Sequence, residues 1–198
     1  MKLDRTFYTA DGISLARELL GKTLVHKSPE GETRGIIVEA EAYMGEADKA
    51  AHSYKRREEG RTRIQYGAGG YAYIYLIYGI HSCFNITANK AEIPEAVLIR
   101  ALEPTGGIEL MRARRKQERL TALCSGPGKL CSAMGINLAQ YGADLCGASL
   151  YIEDTGICPD IAASRRINID YAEEAVDFPW RFTIRGSAFL SAKIKEFP

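Results

Sequence analysis

The stretch Gly35 to Tyr43 (GIIVEAEAY) constrains this chain more than any other segment. Ile36, Val38, Ala40 and Ala42 alternate with Ile37, Glu39, Glu41 and Tyr43, so a strand's period of two predicts an apolar face and a face bearing two carboxylates and a phenol. Glu39 and Glu41 then stand roughly 7 Å apart at their side-chain origins, given about 3.3 Å of rise per residue. Carboxylates on a strand suited to burial must be paired, solvated or employed. Either each meets a cation or water, or one of them orients and deprotonates a water beside an electrophilic carbon, for which a strand supplies rigidity.

The remaining chain narrows the setting. Its 198 residues, 46% hydrophobic and 26% charged, suffice for one sizeable core and fall short of two ordinary domains, so a single domain over 1–198 is expected. Lys and Arg (26) nearly balance Asp and Glu (25), which excludes a uniformly basic nucleic-acid coat and an acidic disordered tail. Any basic surface has to be local. No apolar run approaches the roughly 18 residues of a membrane-spanning helix, and the N-terminus lacks a signal peptide's apolar centre, so a cytoplasmic protein without membrane contact is expected. The five cysteines (Cys83, Cys124, Cys131, Cys146, Cys158) are odd in number and contain no C-x-x-C pair, which reads as reduced packing thiols. The three histidines lie outside any H-E-x-x-H or deaminase pattern, and no full P-loop occurs; neither metal nor cofactor is expected.

Along the chain, Leu15–Leu20 reads as the end of a helix stopped by Gly21, followed by strands at Thr23–His26 and Gly35–Tyr43. His52–Gly70 reads as an irregular surface segment. Tyr71–Ile77 and Ser82–Thr87 read as strands joined by a hairpin turn over Tyr78–His81 with an aromatic residue at its tip. Ala96–Leu102 is a further strand with Arg100 inside it, and Gly107–Leu120 reads as a basic helix bearing Arg112, Arg114, Arg115, Lys116 and Arg119. Strands are also expected at Ser149–Ile152, Arg165–Ile169 and Trp180–Arg185. Runs of strands favour α+β with a curved, largely antiparallel sheet flanked by helices and a protruding hairpin.

Several clusters could carry chemistry. Tyr71, Tyr73 and Tyr75 share a strand face, and a row of tyrosines suggests either core or a half-wet wall suited to flat bases, each stack worth about 1–3 kcal/mol. Lys55, Arg56, Arg57, Arg61 and Arg63 form one basic cluster and Arg112 to Arg119 another, each a solvated face or a phosphate contact. Ser125–Lys129 offers a single-phosphate site or an ordinary helix start. Asn85 either reads a base edge or satisfies backbone groups.

Taken in order, Leu15-Ala16-Arg17, Glu39-Ala40-Glu41-Ala42-Tyr43, Ala50-Ala51-His52-Ser53, Tyr73 to Gly79 (YIYLIYG), Cys83-Phe84-Asn85-Ile86, Leu98 to Pro104 (LIRALEP), Ser125-Gly126-Pro127 and Arg185-Gly186-Ser187 resemble the alkyladenine (3-methyladenine) DNA glycosylase family, the purine alkylbase glycosylases without a helix-hairpin-helix motif. The resemblance spans nearly the whole chain. It implies that Glu41 is the general base activating water for attack on C1′ and that Arg100 helps hold that water, while Glu39 lacks such a role. It implies that Tyr43, His52 and Tyr75 sandwich the flipped base, that the Ala50–His52 backbone reads its exocyclic edge, that Asn85 disfavours normal guanine, and that Tyr78 fills the gap left in the duplex. The implied protein is a monofunctional glycosylase, a monomer acting on double-stranded DNA containing alkylated purines, nucleoid-associated when bound. Two departures stand out: Arg61 to Tyr66 replaces a segment where the family usually shows an Arg-Asn pair followed by a Met-aromatic pair, and Asn168 stands where glycine is usual. A non-catalytic damaged-DNA-binding module with the same pocket is the first alternative, and a nucleoside hydrolase using Glu39 and Glu41 as an acid/base pair the second.

Overall fold

Asp11 caps the first helix, α1 (Gly12–Glu18), by accepting the N–H groups of Ile13 and Ser14, and Gly21, at φ +84°, turns the chain into β1 (Thr23–Ser28). The computed structural model describes residues 1–192; residues 193–198 of the expected domain lie outside the described residues. After β2 (Gly31–Tyr43) and a 3₁₀ segment (Gly60–Tyr66) come β3 (Ala72–Ile77), β4 (His81–Ala88) and β5 (Glu95–Gly106). Helices α2 (Ile108–Arg115), α3 (Leu120–Leu123) and α4 (Pro127–Met134) follow, then β6 (Leu150–Glu153), β7 (Ile161–Ser164) and β8 (Arg181–Ile184). All eight strands join one antiparallel sheet in the order β3-β4-β5-β2-β1-β6, with β8 pairing both β2 and β7. Helices α1 and α4 pack on β2 and β4, giving the α+β arrangement expected. Tyr8, Leu15, Leu24, Phe84, Ile86, Ile99 and Leu130 are among the buried core residues, each large side chain contributing about 1.5–3 kcal/mol of transfer free energy.

β2 determines where the site lies. Residues 31–36 pair with β1, whereas Glu39, Ala40 and Glu41 pair with β8, and β5 runs along the other edge throughout. Against β5 the register slips between Ile37 and Glu39 and again between Glu39 and Ala40. This irregularity overturns the simple alternation read from the sequence. Ile37, of the same parity as the glutamates, lies in the main core together with Ala40 and Ala42, because a bulge moves every later side chain to the opposite face. Glu39 and Glu41 are thereby left on the side away from the core.

Other expectations need correction. The basic helix ends at Arg115 because Lys116 adopts φ +49°, and Leu120 begins a separate helix. Its arginines are largely spoken for: Arg112 pairs with Glu109 and Arg114 with Glu30. The strand expected at Arg165–Ile169 lies earlier, at Ile161–Ser164; beyond it Arg166 is buried in an ion pair and Asn168 holds φ +60°, which a ladder cannot accommodate. His52–Gly70 is only partly a surface segment, since Ser53, Thr62, Gln65 and Tyr66 are buried. The hairpin turns over Tyr78 (φ +53°) and Gly79 (φ +72°), with Ile80 N–H donating to the Ile77 carbonyl, the geometry of a type I′ turn.

Candidate active site

Glu39 and Glu41 are both fully buried, 0% exposed, yet their surroundings differ. Glu39 Oε1 accepts Arg100 Nε (3.0 Å), Arg181 Nε (2.8 Å) and Ser191 Oγ (2.7 Å), and its Oε2 accepts the Ser191 N–H (2.6 Å). That carboxylate is saturated. Glu41 Oε2 accepts the Tyr43 hydroxyl (2.9 Å) and Arg100 Nη1 (3.3 Å), while Oε1 accepts only the Ile167 N–H (2.8 Å) and so retains a lone pair. Arg100 Nη2 has no protein acceptor among the described residues. Burial works against the charge of Arg100, but Glu41 and Glu39 outweigh it and raise its pKa.

Tyr43, Arg100 and Ile167 also line a cleft of about 1120 Å³, so the Glu41 carboxylate sits directly behind the cleft wall in polar company. Tyr43, His52, Tyr73 and Tyr75 give the wall its aromatic character. His52 and Tyr75 meet edge to face with ring centroids 4.6 Å apart, and Tyr73 and Tyr75 lie 5.6 Å apart. Burial, then the Glu41 charge, pushes the Tyr43 phenol well above its ordinary pKa, and burial does the same for Tyr75. Burial, reinforced by Arg61 and Arg57, lowers His52 to about 4, leaving a neutral imidazole whose Nδ1 lies 2.7 Å from the Tyr73 hydroxyl.

One buried ion pair ties the walls together. Arg166 Nη1 and Nη2 meet the Asp48 carboxylate at 2.5 and 2.9 Å and also donate to the Ala42 and Ala175 carbonyls. Asp48 in turn accepts the N–H groups of Met44 and Ala50. The guanidinium of Arg166 rests 4.9 Å from the Tyr43 ring centroid.

The residues singled out in the sequence gather here, with adjustments. Tyr43, Ala50, His52, Tyr75, Asn85, Arg100 and Tyr78 all line the cleft, and Glu41 stands behind its wall. Tyr71 leaves the aromatic row and lies under Arg5 instead. Asn85 Nδ2 donates to the Tyr73 and Cys83 carbonyls, leaving its amide oxygen as the remaining polar edge. Of the Ala50–His52 backbone donors, those of Ala50 and Ala51 are taken by Asp48, and only the His52 N–H has no acceptor among the described residues. Tyr78 crowns the hairpin at 84% exposed. The cleft lining holds Arg61, Arg100, Arg115 and Lys129 and no Asp or Glu among the described residues. Asp48 escaped the sequence reading, because a buried partner brought from across the fold leaves no periodic signature, whereas Gln65 lay within the departing segment Arg61 to Tyr66 and Arg166 and Ile167 within the expected strand Arg165–Ile169, none of them with a role of its own.

A profile described as Methylpurine-DNA glycosylase (MPG) matches residues 6–188. A provisionally named 3-methyladenine DNA glycosylase of Alkaliphilus oremlandii is 50% identical over 202 residues, covering 98% of this chain and 100% of its own. Proteins with the same provisional name from Desulfitobacterium hafniense (44% over 201 residues, 97% and 99% covered) and Bacillus cereus strain G9842 (48% over 205 residues, 98% and 100% covered) are similarly related.

Proposed function

Because this chain belongs to the methylpurine-DNA glycosylase family, hydrolases of N-glycosyl bonds, we propose that it takes alkylated purines out of duplex DNA and releases them with a water activated by Glu41. Its substrates in this reading are 3-methyladenine and 7-methylguanine, with hypoxanthine and ethenoadenine as further ones. The observation that carries the proposal is the Glu41 carboxylate, held from three sides with one lone pair unused, immediately behind an aromatic cleft wall.

The physical sequence follows from the groups present. Extruding a nucleotide costs a few kcal/mol, least where the base is damaged or poorly paired. Tyr78, carried out on the hairpin, fills the vacated place in the stack, while Arg61, Arg115 and Lys129 face the phosphates. The base stacks among Tyr43, His52 and Tyr75. Glu41 is fully buried, and in this reading the attacking water is held by Glu41 Oε1, the carboxylate oxygen with a lone pair to spare, and by Arg100. Its oxygen bonds to C1′, the glycosidic electron pair leaves with the base, and its proton passes to Glu41. Alkylation at N3 or N7 makes the departing purine neutral, so little acid assistance is needed. The product is an abasic site in an uncut strand. Glu39, saturated by Arg100, Arg181 and Ser191, is unsuited to pair with Glu41 as an acid, which counts against the nucleoside-hydrolase alternative. The family assignment sets aside the non-catalytic binding module.

The test incubates folded protein with methylated duplex DNA and follows free 3-methyladenine by chromatography. Glu41→Gln is expected to lower the single-turnover rate at least about 10²-fold, in the range of general-base catalysis. No release by the folded wild type, or equal release by Glu41→Gln, rejects the proposal.

A further inference from the structure

Arg166 does more for the site than close an ion pair. Its side chain and that of Asp48 are both 0% exposed, and four of its N–H groups are spent: on the two Asp48 oxygens (2.5 and 2.9 Å), the Ala42 carbonyl (2.9 Å) and the Ala175 carbonyl (3.2 Å). These contacts tie residue 166 to separate parts of the cleft wall. Ala42 stands between Glu41 and Tyr43 on β2, and Asp48 in turn accepts the Ala50 N–H.

Two routes lead from Arg166 to the Glu41 carboxylate. The next residue in the chain, Ile167, donates its N–H to Oε1 at 2.8 Å, so fixing residue 166 fixes the direction of that donor. The guanidinium also lies 4.9 Å from the centroid of the Tyr43 ring, whose hydroxyl donates to Oε2 at 2.9 Å. Arg100 aside, every donor to Glu41 among the described residues is thus a group that Arg166 contacts or adjoins. Residues 165–169 belong to no strand, so no ladder holds Ile167 in place of that side chain. The task suits arginine: a lysine ammonium could meet Asp48 but lacks the planar fork that reaches two carbonyls as well and lies against a ring.

We propose that Arg166 is a positioning residue that, anchored on Asp48, holds the Glu41 carboxylate in one orientation behind the cleft wall through the Ile167 N–H and the Tyr43 hydroxyl. This rests on the glycosylase reading above and adds a residue to the apparatus of that reading.

The experiment follows single-turnover release of 3-methyladenine and 7-methylguanine from duplex DNA as a function of pH. Both bases are already cationic, so the fall in rate toward low pH reports protonation of the protein's base alone. Arg166→Lys keeps the positive charge beside Asp48, and replacing the Ile167 amide by an ester removes one N–H and leaves the ion pair whole. The other ionisable groups in electrostatic reach of Glu41, namely Tyr43, Arg100, Tyr75, Cys83 and Tyr171, stay as they are. A carboxylate that loses a donor keeps its proton to higher pH. Both variants are therefore expected to move the acid limb upward, the ester by about one pH unit, the scale of one hydrogen bond to a charged group, and to lower the plateau rate about tenfold or more. Affinity for a duplex bearing a tetrahydrofuran abasic analogue is expected to stay within threefold of wild type. Folded Arg166→Lys with a lower melting temperature but the wild-type acid limb reports a merely structural ion pair and overturns the proposal. An unmoved limb in the ester variant overturns it whether or not Arg166→Lys folds, as does a loss of abasic-analogue affinity parallel to the loss of rate. Wild-type protein that releases neither base overturns the glycosylase reading itself, and is thereby distinguished from a failure of Arg166 alone.

Discussion

At the scale of single residues, Glu39 and Glu41 divide two jobs that the same side chain can do. Glu39 neutralises Arg181 and part of Arg100 and anchors Ser191, all within 3.0 Å. Removing its charge strands buried guanidinium groups, and breaking a buried pair from one side typically costs about 3–5 kcal/mol. Glu39→Gln is therefore expected to shift the urea midpoint sharply downward, with the activity of whatever remains folded still measurable. Equal stability of Glu39→Gln and wild type would contradict this assignment. The sequence marked both glutamates as out of place on a buried strand, and there its information ended. Which one is structural depends on Arg181 and Ser191, more than 140 positions away in β8 and beyond it, and on the Ile167 N–H; no local pattern encodes such partners.

Among the elements, the β3–β4 hairpin shows a tight turn presenting an aromatic ring to solvent. Both central residues have positive φ, a conformation for which Asn-Gly is the favoured pair, yet the first is tyrosine. Tyr78 holds a strained backbone position with its ring in solvent, and Ile80 beside it is 73% exposed. Tyr78→Asn is expected to preserve or slightly raise the melting temperature while lowering base release from duplex DNA about tenfold or more, with release from single-stranded DNA changed far less. Similar losses on both substrates would remove the wedge role. The hairpin was readable because the two strands and the intervening Tyr78-Gly79 stand out locally. The slip in β2 was not: alternation over Ile36–Tyr43 is unbroken in sequence, and the bulge arises where β2 exchanges β1 for β8 as its neighbour. The late strand was misplaced for a related reason, since Arg166 reads as an ordinary surface cation until Asp48 is brought to it across the fold.

For the molecule as a whole, a net charge of +1 conceals an uneven distribution. Carboxylates neutralise much of the α2 helix, whereas the cleft keeps its cations and gathers no acid on its surface among the described residues. DNA binding is thus expected to depend on salt through a few local contacts. Lys129→Gln, at an exposed position of the cleft, should reduce the slope of log affinity against log salt by about one without altering the preference among bases. An unchanged slope would place the phosphates elsewhere.

The enclosure of Glu41 has a bearing on the molecule when it is idle. A small solute wandering into the resting cleft encounters phenols, an imidazole and guanidinium groups but no bare anion, for the one oxygen with capacity to spare is screened by Tyr43, Arg100 and Ile167. On the proposed mechanism, that screening keeps the Glu41 carboxylate out of contact with solutes that enter the cleft without displacing its wall.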